Sequence, residues 1–490
     1  MSITGPTGAV ARLERDAIGL APVLFQSITH MAPAAAVAFS IIFAVTYAGG
    51  ATPLAVVLAL VACLFVAISI GQLAKHLPSA GGLYTYSARG LHPTVGFFVA
   101  WGFMLAEPLV APLLYLIFGN VIGVFLTNHF NTPTWLWAPF AALAGIGVWA
   151  LVFRGVRIST EAGVAMGAFE IVVFLALAIT LIIAAGSNNT LAVFSPSTGN
   201  QHGLGSVFAG MVYTVLAFIG FEASAPLGEE ARDARRTIPR AVILSCVLIG
   251  VFYLICYYGA TVYFGPSQMA DQKNGFFGFN GGDPWDGLAA KVWGPFSILV
   301  LLAIINSAFA NSNAGANAAT RVGYALGRVG ILPRALASVH PRFKTPYVAV
   351  HVQGALGIAL ALILGFALSS PLNAFALLGT IATLIVVCIY ILTNLANIVF
   401  YTREHRDEMN PVWNLIVPVL GIVIFIPVLI AAFGFDFGGL GITPLTAPAN
   451  AAPWIVVAWL VLGAVLYFYL SSRSPGAIKE TATTFVEAET

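Results

Sequence analysis

Long apolar runs, separated by short polar connections, make up almost the whole chain. Twelve can be placed, at roughly 18–47, 52–74, 93–126, 134–153, 159–185, 204–227, 240–264, 295–325, 346–368, 371–401, 411–433 and 452–472. A helix crosses a bilayer with about 20 predominantly apolar residues, so each run is long enough to span one. Several are longer, which points to tilt or interruption rather than thicker lipid. Helices satisfy their own backbone hydrogen bonds and are therefore the form such runs take in lipid. The pattern predicts an all-α polytopic membrane protein with twelve transmembrane helices.

The runs are interrupted at particular places. In the first, Ser27-Ile-Thr-His-Met-Ala-Pro-Ala-Ala-Ala36 places Pro33 mid-helix, where it removes a donor and clashes with the carbonyl near Thr29. The freed carbonyls and the small Ala34, Ala35 and Ala36 would leave polar backbone accessible to a ligand; a simple proline kink is the alternative. His30, one turn earlier, is either a hydrogen-bonded structural histidine or a substrate and proton ligand. The sixth run, Val215 to Glu230, passes Gly220, sets Glu222 at bilayer depth and then meets Pro226 and Gly228. Gly, Glu and Pro together are expensive in a lipid-facing helix and are tolerated where a helix breaks around a protein-lined cavity. The competing reading is a kinked packing helix whose acid reaches the interface.

Other polar residues lie deep in the runs. Glu107-Pro108 falls about 14 residues into the third, near the bilayer centre, with Pro112 following. A carboxyl there faces the bundle interior and is a functional candidate by default. Glu170 lies about three turns into the fifth run. In the eighth, Asn306, Asn313 and Asn317 share one helical face, either joining helices or lining a pathway.

Composition agrees with the pattern. Of 490 residues, 59% are hydrophobic and only 8% charged, against roughly 25% charged in soluble domains. The net charge of +2 sits in the loops and carries no argument for nucleic acid. Cys63, Cys246, Cys256 and Cys388 all fall inside apolar runs, without metal-ligand spacing, and read as packing residues. If both termini are cytoplasmic, every one of the 21 Lys and Arg except Lys273 and Lys291 lies on the inner side, which supports that orientation and an even number of spans. No cleavable signal is read before the first span. The longest outer loop, 265–294, is rich in glycine and aromatics and suits a lid. The charged run 229–240 reads as solvated surface.

The two interrupted runs, first and sixth, each open a set of five. Five is odd, so the second set enters from the opposite side, which is the pointer to an inverted repeat with paired broken helices. No nucleophile–base pair, metal cluster or phosphate loop supports catalysis, and no cofactor is expected. A channel would show repeated rings or a filter motif.

Four stretches together resemble the amino acid–polyamine–organocation superfamily of secondary transporters. They are Leu77-Pro-Ser-Ala-Gly-Gly-Leu-Tyr-Thr-Tyr86, Phe218-Ile-Gly-Phe-Glu222, Glu229-Glu230 with Arg236-Thr-Ile-Pro-Arg-Ala241, and Arg321 to Pro333 followed by Lys344-Thr-Pro346. The resemblance extends over residues 17–400. It implies a five-plus-five inverted-repeat fold with discontinuous helices 1 and 6 and two extra helices, and uptake or exchange of amino acids or amines. In such proteins the first break holds the substrate carboxylate on backbone amides. Here the matching positions are Pro33-Ala34-Ala35, and proline has no amide to offer. By the same likeness His30 and Leu216 fall at site-lining positions, and Glu222 is a gating or proton-sensing candidate. Glu107 is similar to the third-helix acid of putrescine importer-like members, and an acid there pairs with a substrate ammonium. Glu170 falls where sodium-independent members carry a lysine.

The expected organisation is a cytoplasmic tail (1–16), a transport core (17–401; helices 1–5 at 18–185 and 6–10 at 204–401), helices 11 and 12 (411–472) and a second cytoplasmic tail (473–490). Substrate-binding candidates are His30, Met31, Pro33, Ala34, Ala35, Glu107, Leu216, Ala217, Phe218 and Gly220. Glu222, Glu107 and Glu170 are candidates for proton coupling or gating, and Asn306, Asn313 and Asn317 for lining the pathway. The expected partners are a small amino acid or amine, a proton or alternatively sodium, and the lipid of the cell membrane, with no nucleic acid. The expected function is secondary active transport by alternating access. A non-transporting sensor and a channel on the same scaffold are the rivals.

Overall fold

The computed structural model describes residues 18–78, 81–155, 160–200, 203–228, 231–271, 274–328, 330–435 and 441–473. Both expected tails, the Glu229-Glu230 pair and Ser79-Ala80 of the Leu77–Tyr86 motif lie outside those residues, apart from Arg473 at the end of the last helix. Among the described residues are sixteen α-helices and, in place of a sheet, a lone parallel bridge between Ile18 and Ala231. They run α1 (Leu20–His30), α2 (Pro33–Ala35), α3 (Ile41–Ala48), α4 (Thr52–Ala74), α5 (Leu83–Gly90), α6 (Pro93–Phe130), α7 (Trp137–Arg154) and α8 (Thr160–Ala185). The second half comprises α9 (Leu204–Phe218), α10 (Ala234–Phe264), α11 (Pro284–Trp293), α12 (Ile298–Arg328), α13 (Tyr347–Ala367), α14 (Pro371–Arg403), α15 (Val417–Phe433) and α16 (Ala452–Arg473). A π-helical turn, Ala36–Ser40, joins α2 to α3.

Among the described residues, eleven helical stretches are long and apolar enough to cross a membrane. The first, Leu20–Ala74, is 55 residues long, far more than one crossing needs, and carries a break at Met31-Ala32 and a tight turn at Gly49–Ala51. The chain therefore forms an all-helical, multi-pass membrane protein. Its outward-facing side chains are apolar: Ile183 and Phe468 are 73% and 71% exposed, and Val172, Ile363 and Val461 point outward too. An apolar surface of that extent belongs against hydrocarbon.

Local sequence explains where the helices start and bend. Proline opens α6 and α14, where its missing amide costs nothing, and His92 and Ser370 accept from the next free amides, Thr94 N and Leu372 N. Inside α6, Pro112 leaves the Pro108 carbonyl without its helical donor, and Gln353 of α13 supplies one at 3.1 Å. The charged run is not all loop: α10 starts at Ala234 rather than 240. There Arg235, Arg236 and Arg240 are exposed while Thr237, Ile238 and Ala241 are buried, a two-faced helix whose average hydropathy hides it.

The connection between α10 and α11 folds back over the bundle. Its kinked turn Phe276–Gly282 sets Phe277 edge-on against Phe43, with ring centroids 5.1 Å apart. Phe43 also stacks on Phe375 and meets Tyr213, so α3, α9, α14 and this turn share one aromatic layer.

Candidate functional site

Two helix breaks face each other in the middle of the bundle. The first lies between α1 and α2, where Ala32 takes a left-handed conformation (φ 46°) before Pro33 restarts the helix. The second ends α9 at Ile219; Gly220 adopts φ 117° and a tighter helical turn, Phe221–Leu227, continues. A β-carbon on Gly220 would lie 2.7 Å from the His30 ring and 2.8 Å from the His30 carbonyl carbon. Glycine is thus required twice over, by conformation and by the close approach of the two breaks.

The polar groups released by the breaks find protein partners. Ala32 N donates to Thr29 O, and Asn311 Nδ2 to His30 O at 2.8 Å. The Tyr253 hydroxyl sits between the breaks, 3.0 Å from Met31 O and 2.8 Å from Ala217 O. Tyr257 donates to Val37 O, a carbonyl within the π-turn. On the donor side, Ala34 N bonds Glu170 Oε2 at 3.1 Å, Ala35 N bonds Ser307 Oγ at 3.2 Å, and Ala36 N returns to Ala32 O. Pro33 has no amide. The amides that open the second half of the first helix are therefore all engaged.

The second break is capped mainly by itself. Glu222 Oε2 accepts from Gly220 N at 3.0 Å and from the Tyr390 hydroxyl at 2.9 Å. Ser27 of α1 links the two, donating to Phe221 O and accepting from Ser224 N.

Between the breaks, α6 and α14 lies a cavity with a mostly apolar wall. Phe103, Val110, Leu113, Leu114, Ile117, Leu216 and Phe375 provide that wall, and His30, Glu107, Glu222, Asn311 and Ser40 its polar groups. Two buried oxygens in the lining have no hydrogen-bond partner among the described residues: Glu107 Oε2 and Asn311 Oδ1. Both are acceptors, and Asn311 is held in place by its own amide on His30 O. A buried acceptor without a donor is costly, the more so on a carboxylate.

Of the residues singled out by sequence, His30, Met31, Ala35, Glu107, Leu216 and Glu222 line this cavity. Pro33, Ala34, Ala217, Phe218 and Gly220 form the breaks behind the lining, and Glu170 sits behind Ala34. Asn306 donates to Met166 O of α8 and Asn317 to Asn313 O of its own helix; these three lie away from the cavity lining. Asn311 was passed over in favour of that stripe. The pattern Ser307-x-x-x-Asn311, two polar side chains one helical turn apart, would have pointed to it, since both bond the first break. Phe103 and Phe375 carry no sequence signal that separates them from other apolar residues of their helices.

Comparison with known proteins agrees with this architecture. A family model described as "Amino acid permease" matches residues 20–467. The low-affinity putrescine importer PlaP of Escherichia coli (strain K12) is 27% identical over 411 residues, 82% of this chain and 85% of the importer. The branched-chain amino acid permease BcaP of Bacillus subtilis (strain 168) is 24% identical over 451 residues, 87% of each chain. The methylthioribose transporter of the same organism is 24% identical over 444 residues, 88% of each. With one continuous match across nearly all of its length, and a helical bundle broken twice around a buried cavity, the chain belongs to the amino acid permease family of membrane transporters.

Proposed function

We propose that the protein is a secondary active transporter that imports or exchanges a small amine of largely aliphatic character by alternating access. The observation that carries this reading is the pair of unpartnered buried acceptors, Glu107 Oε2 and Asn311 Oδ1, in an otherwise apolar cavity. A ligand for such a site brings donors and positive charge, which an ammonium group provides, and apolar surface for Val110, Leu113, Leu114 and Leu216. The amides after the first break offer no ready carboxylate site, because Glu170, Ser307 and Ala32 already take them. An α-amino acid would thus leave its carboxylate without the usual donors. The likeness to a putrescine importer supports the same choice.

Coupling to protons follows from the same carboxyl. Enclosed in an apolar wall, Glu107 needs either a cation or a proton, so substrate and proton would compete for one group and exchange there during the cycle. Glu222 and Glu170, each bound to a helix break, would relay that change to the backbone as gating groups. The twelve-span, five-plus-five arrangement with both termini cytoplasmic is part of this proposal; the turn at Gly49–Ala51 within the longest helical stretch and the paired breaks support it.

The test is uptake of radiolabelled aliphatic amines, with amino acids as competitors, into proteoliposomes under an imposed pH gradient. Wild-type protein is expected to give saturable, gradient-driven amine uptake, and Glu107→Gln to lose at least about tenfold of it while inserting normally. Amine uptake undiminished in Glu107→Gln would remove this carboxyl from the mechanism. Saturable uptake of amino acids but not amines would replace the substrate class. Replacing sodium with choline at fixed pH separates a sodium-coupled cycle, and binding without flux identifies a sensor.

A further inference from the structure

Away from the cavity, at the end of the bundle that carries Lys75, Arg89 and Arg235, three metal-ligating side chains meet. His76 lies just beyond the end of α4, and His405 and Glu408 lie in the turn after α14. Their Nε2, Nδ1 and carboxylate oxygens all fall within 4.8 Å of one another. His76 Nε2 is 3.3 Å from Glu408 Oε2, and His405 Nδ1 is 3.7 Å from Glu408 Oε1. A tetrahedral ion with ligands at about 2.0–2.1 Å needs donor atoms about 3.3 Å apart, so the set closes on an ion with small side-chain movements.

The site is also held in shape. The two imidazoles lie with ring centroids 4.1 Å apart and pack against Phe400 and Tyr401. Tyr401 in turn donates its hydroxyl to Gln72 O in the last turn of α4, and Glu408 N closes the turn on His405 O. His76 and His405 are only 20% and 30% exposed through their side chains, whereas Glu408 is 54% exposed and leaves an open approach. Burial, then the neighbouring His405, hold His76 below the usual histidine pKa against the pull of Glu408, and Arg235 and Lys75 add to the depression. Arg235 and Lys75 oppose a bound cation; the Glu408 carboxylate offsets them.

We propose that His76, His405 and Glu408 bind a first-row divalent metal ion, with zinc best matched to two imidazoles and one carboxylate, and that the ion ties the end of α4 to the connection between α14 and α15. Two histidines with one carboxylate leave at least one position for water, and the ligands come from elements more than 300 residues apart in sequence, as the separation of Tyr401 from Gln72 (329 residues) records. Metal binding there would restrain the relative movement of these helices. The proposal is independent of the substrate assigned to the central cavity.

The experiment uses the full-length protein in detergent, purified without a polyhistidine tag. Zinc is titrated by calorimetry, and cobalt(II) is followed by its visible absorption as a report of coordination geometry. Wild type is expected to bind one zinc ion, to show cobalt bands of a four- or five-coordinate site, and to unfold at a higher temperature with zinc. His76→Ala, His405→Ala and Glu408→Gln are each expected to weaken zinc binding at least about tenfold and to lose the zinc-dependent rise in unfolding temperature. Zinc affinity in a His76→Ala/His405→Ala double variant equal to that of wild type would overturn the site, as would binding of an adventitious ion only, without the cobalt signature. Unfolding temperatures measured without metal check that the variants fold, and the milder His405→Gln keeps the packing on Phe400 if His405→Ala does not.

Discussion

The two helix breaks solve one problem in opposite ways. At the first, the exposed backbone groups are satisfied from far along the chain: Asn311 and Ser307 of α12, Tyr253 of α10 and Glu170 of α8 all reach in. At the second, Glu222 folds back two residues to cap Gly220, with Tyr390 completing it. The first break therefore has its hydrogen bonding set by three other helices, and any movement of α8, α10 or α12 changes it. The second adds a local cap, Glu222 on Gly220 N, to its contacts from Ser27, Tyr253 and Tyr390, and it needs a glycine at its turn. The wall between them carries the unpaired acceptors of Glu107 and Asn311, so the break that depends on other helices is also the one tied, through Asn311, to the cavity.

The contrast can be broken most forcefully at its glycine. Gly220→Ala imposes a left-handed alanine, costing about 1–2 kcal/mol, and a clash with the His30 backbone besides; we expect a total above about 3 kcal/mol, read as loss of folded protein in fluorescence-detected size-exclusion chromatography. Survival of Gly220→Ala with unchanged thermal stability would mean that the breaks do not approach as described. Next in size is Tyr253→Phe, which strips one hydroxyl from a carbonyl of each break. Two buried carbonyls lose a donor, and about 2–3 kcal/mol of stability should go with it, measured by thermal unfolding. A loss no larger than a few tenths would show that the two breaks are not joined through this residue.

Ala32 provides the opposite sign. It occupies a left-handed conformation with φ 46° that glycine adopts freely, so Ala32→Gly should be neutral or stabilising by up to about 1 kcal/mol, where Gly220→Ala is ruinous. A marked destabilisation would show that the Ala32 methyl contributes more by packing than its backbone costs. A pH-dependent effect lies outside the spans, in the connection that leads into α11. Burial, then the charge of Asp286, pushes Asp283 up to about 7 from its ordinary 3.8. The folded state then keeps a proton that the unfolded chain releases, so stability declines as pH rises from about 4 to 7 and levels off above that. Asp283→Asn should flatten this decline; an unchanged pH profile would remove Asp283 as its source.

Much of this architecture was legible in one dimension. Hydropathy placed most helix ends within a few residues, and Pro33, Gly220 and the deep acids Glu107 and Glu222 marked the region that the fold brings together. Less legible was the role of each polar group there. The amide stripe of α12 drew notice to Asn306, Asn313 and Asn317, while the cavity-lining Asn311 lay among them. Along a helix, position on a face is readable, but the identity of the facing neighbour is not. Similarly, hydropathy starts the seventh span at 240 although α10 begins at Ala234, because averaging over a window erases a two-faced helix.

By itself, then, the sequence determined what depends on near neighbours: which runs enter lipid, where proline and glycine interrupt them, and which acids are carried to bilayer depth. Those properties follow from transfer free energies and backbone chemistry that act within a few residues. Tertiary structure alone decided which released group met which donor. Glu170 lies 136 residues from Ala34, Tyr253 222 from Met31 and Asn311 281 from His30, and only the packing of helices selects those pairs. It also decided what was left over, two buried acceptors in an apolar wall, because an unmet hydrogen bond becomes visible only after every other one has been assigned.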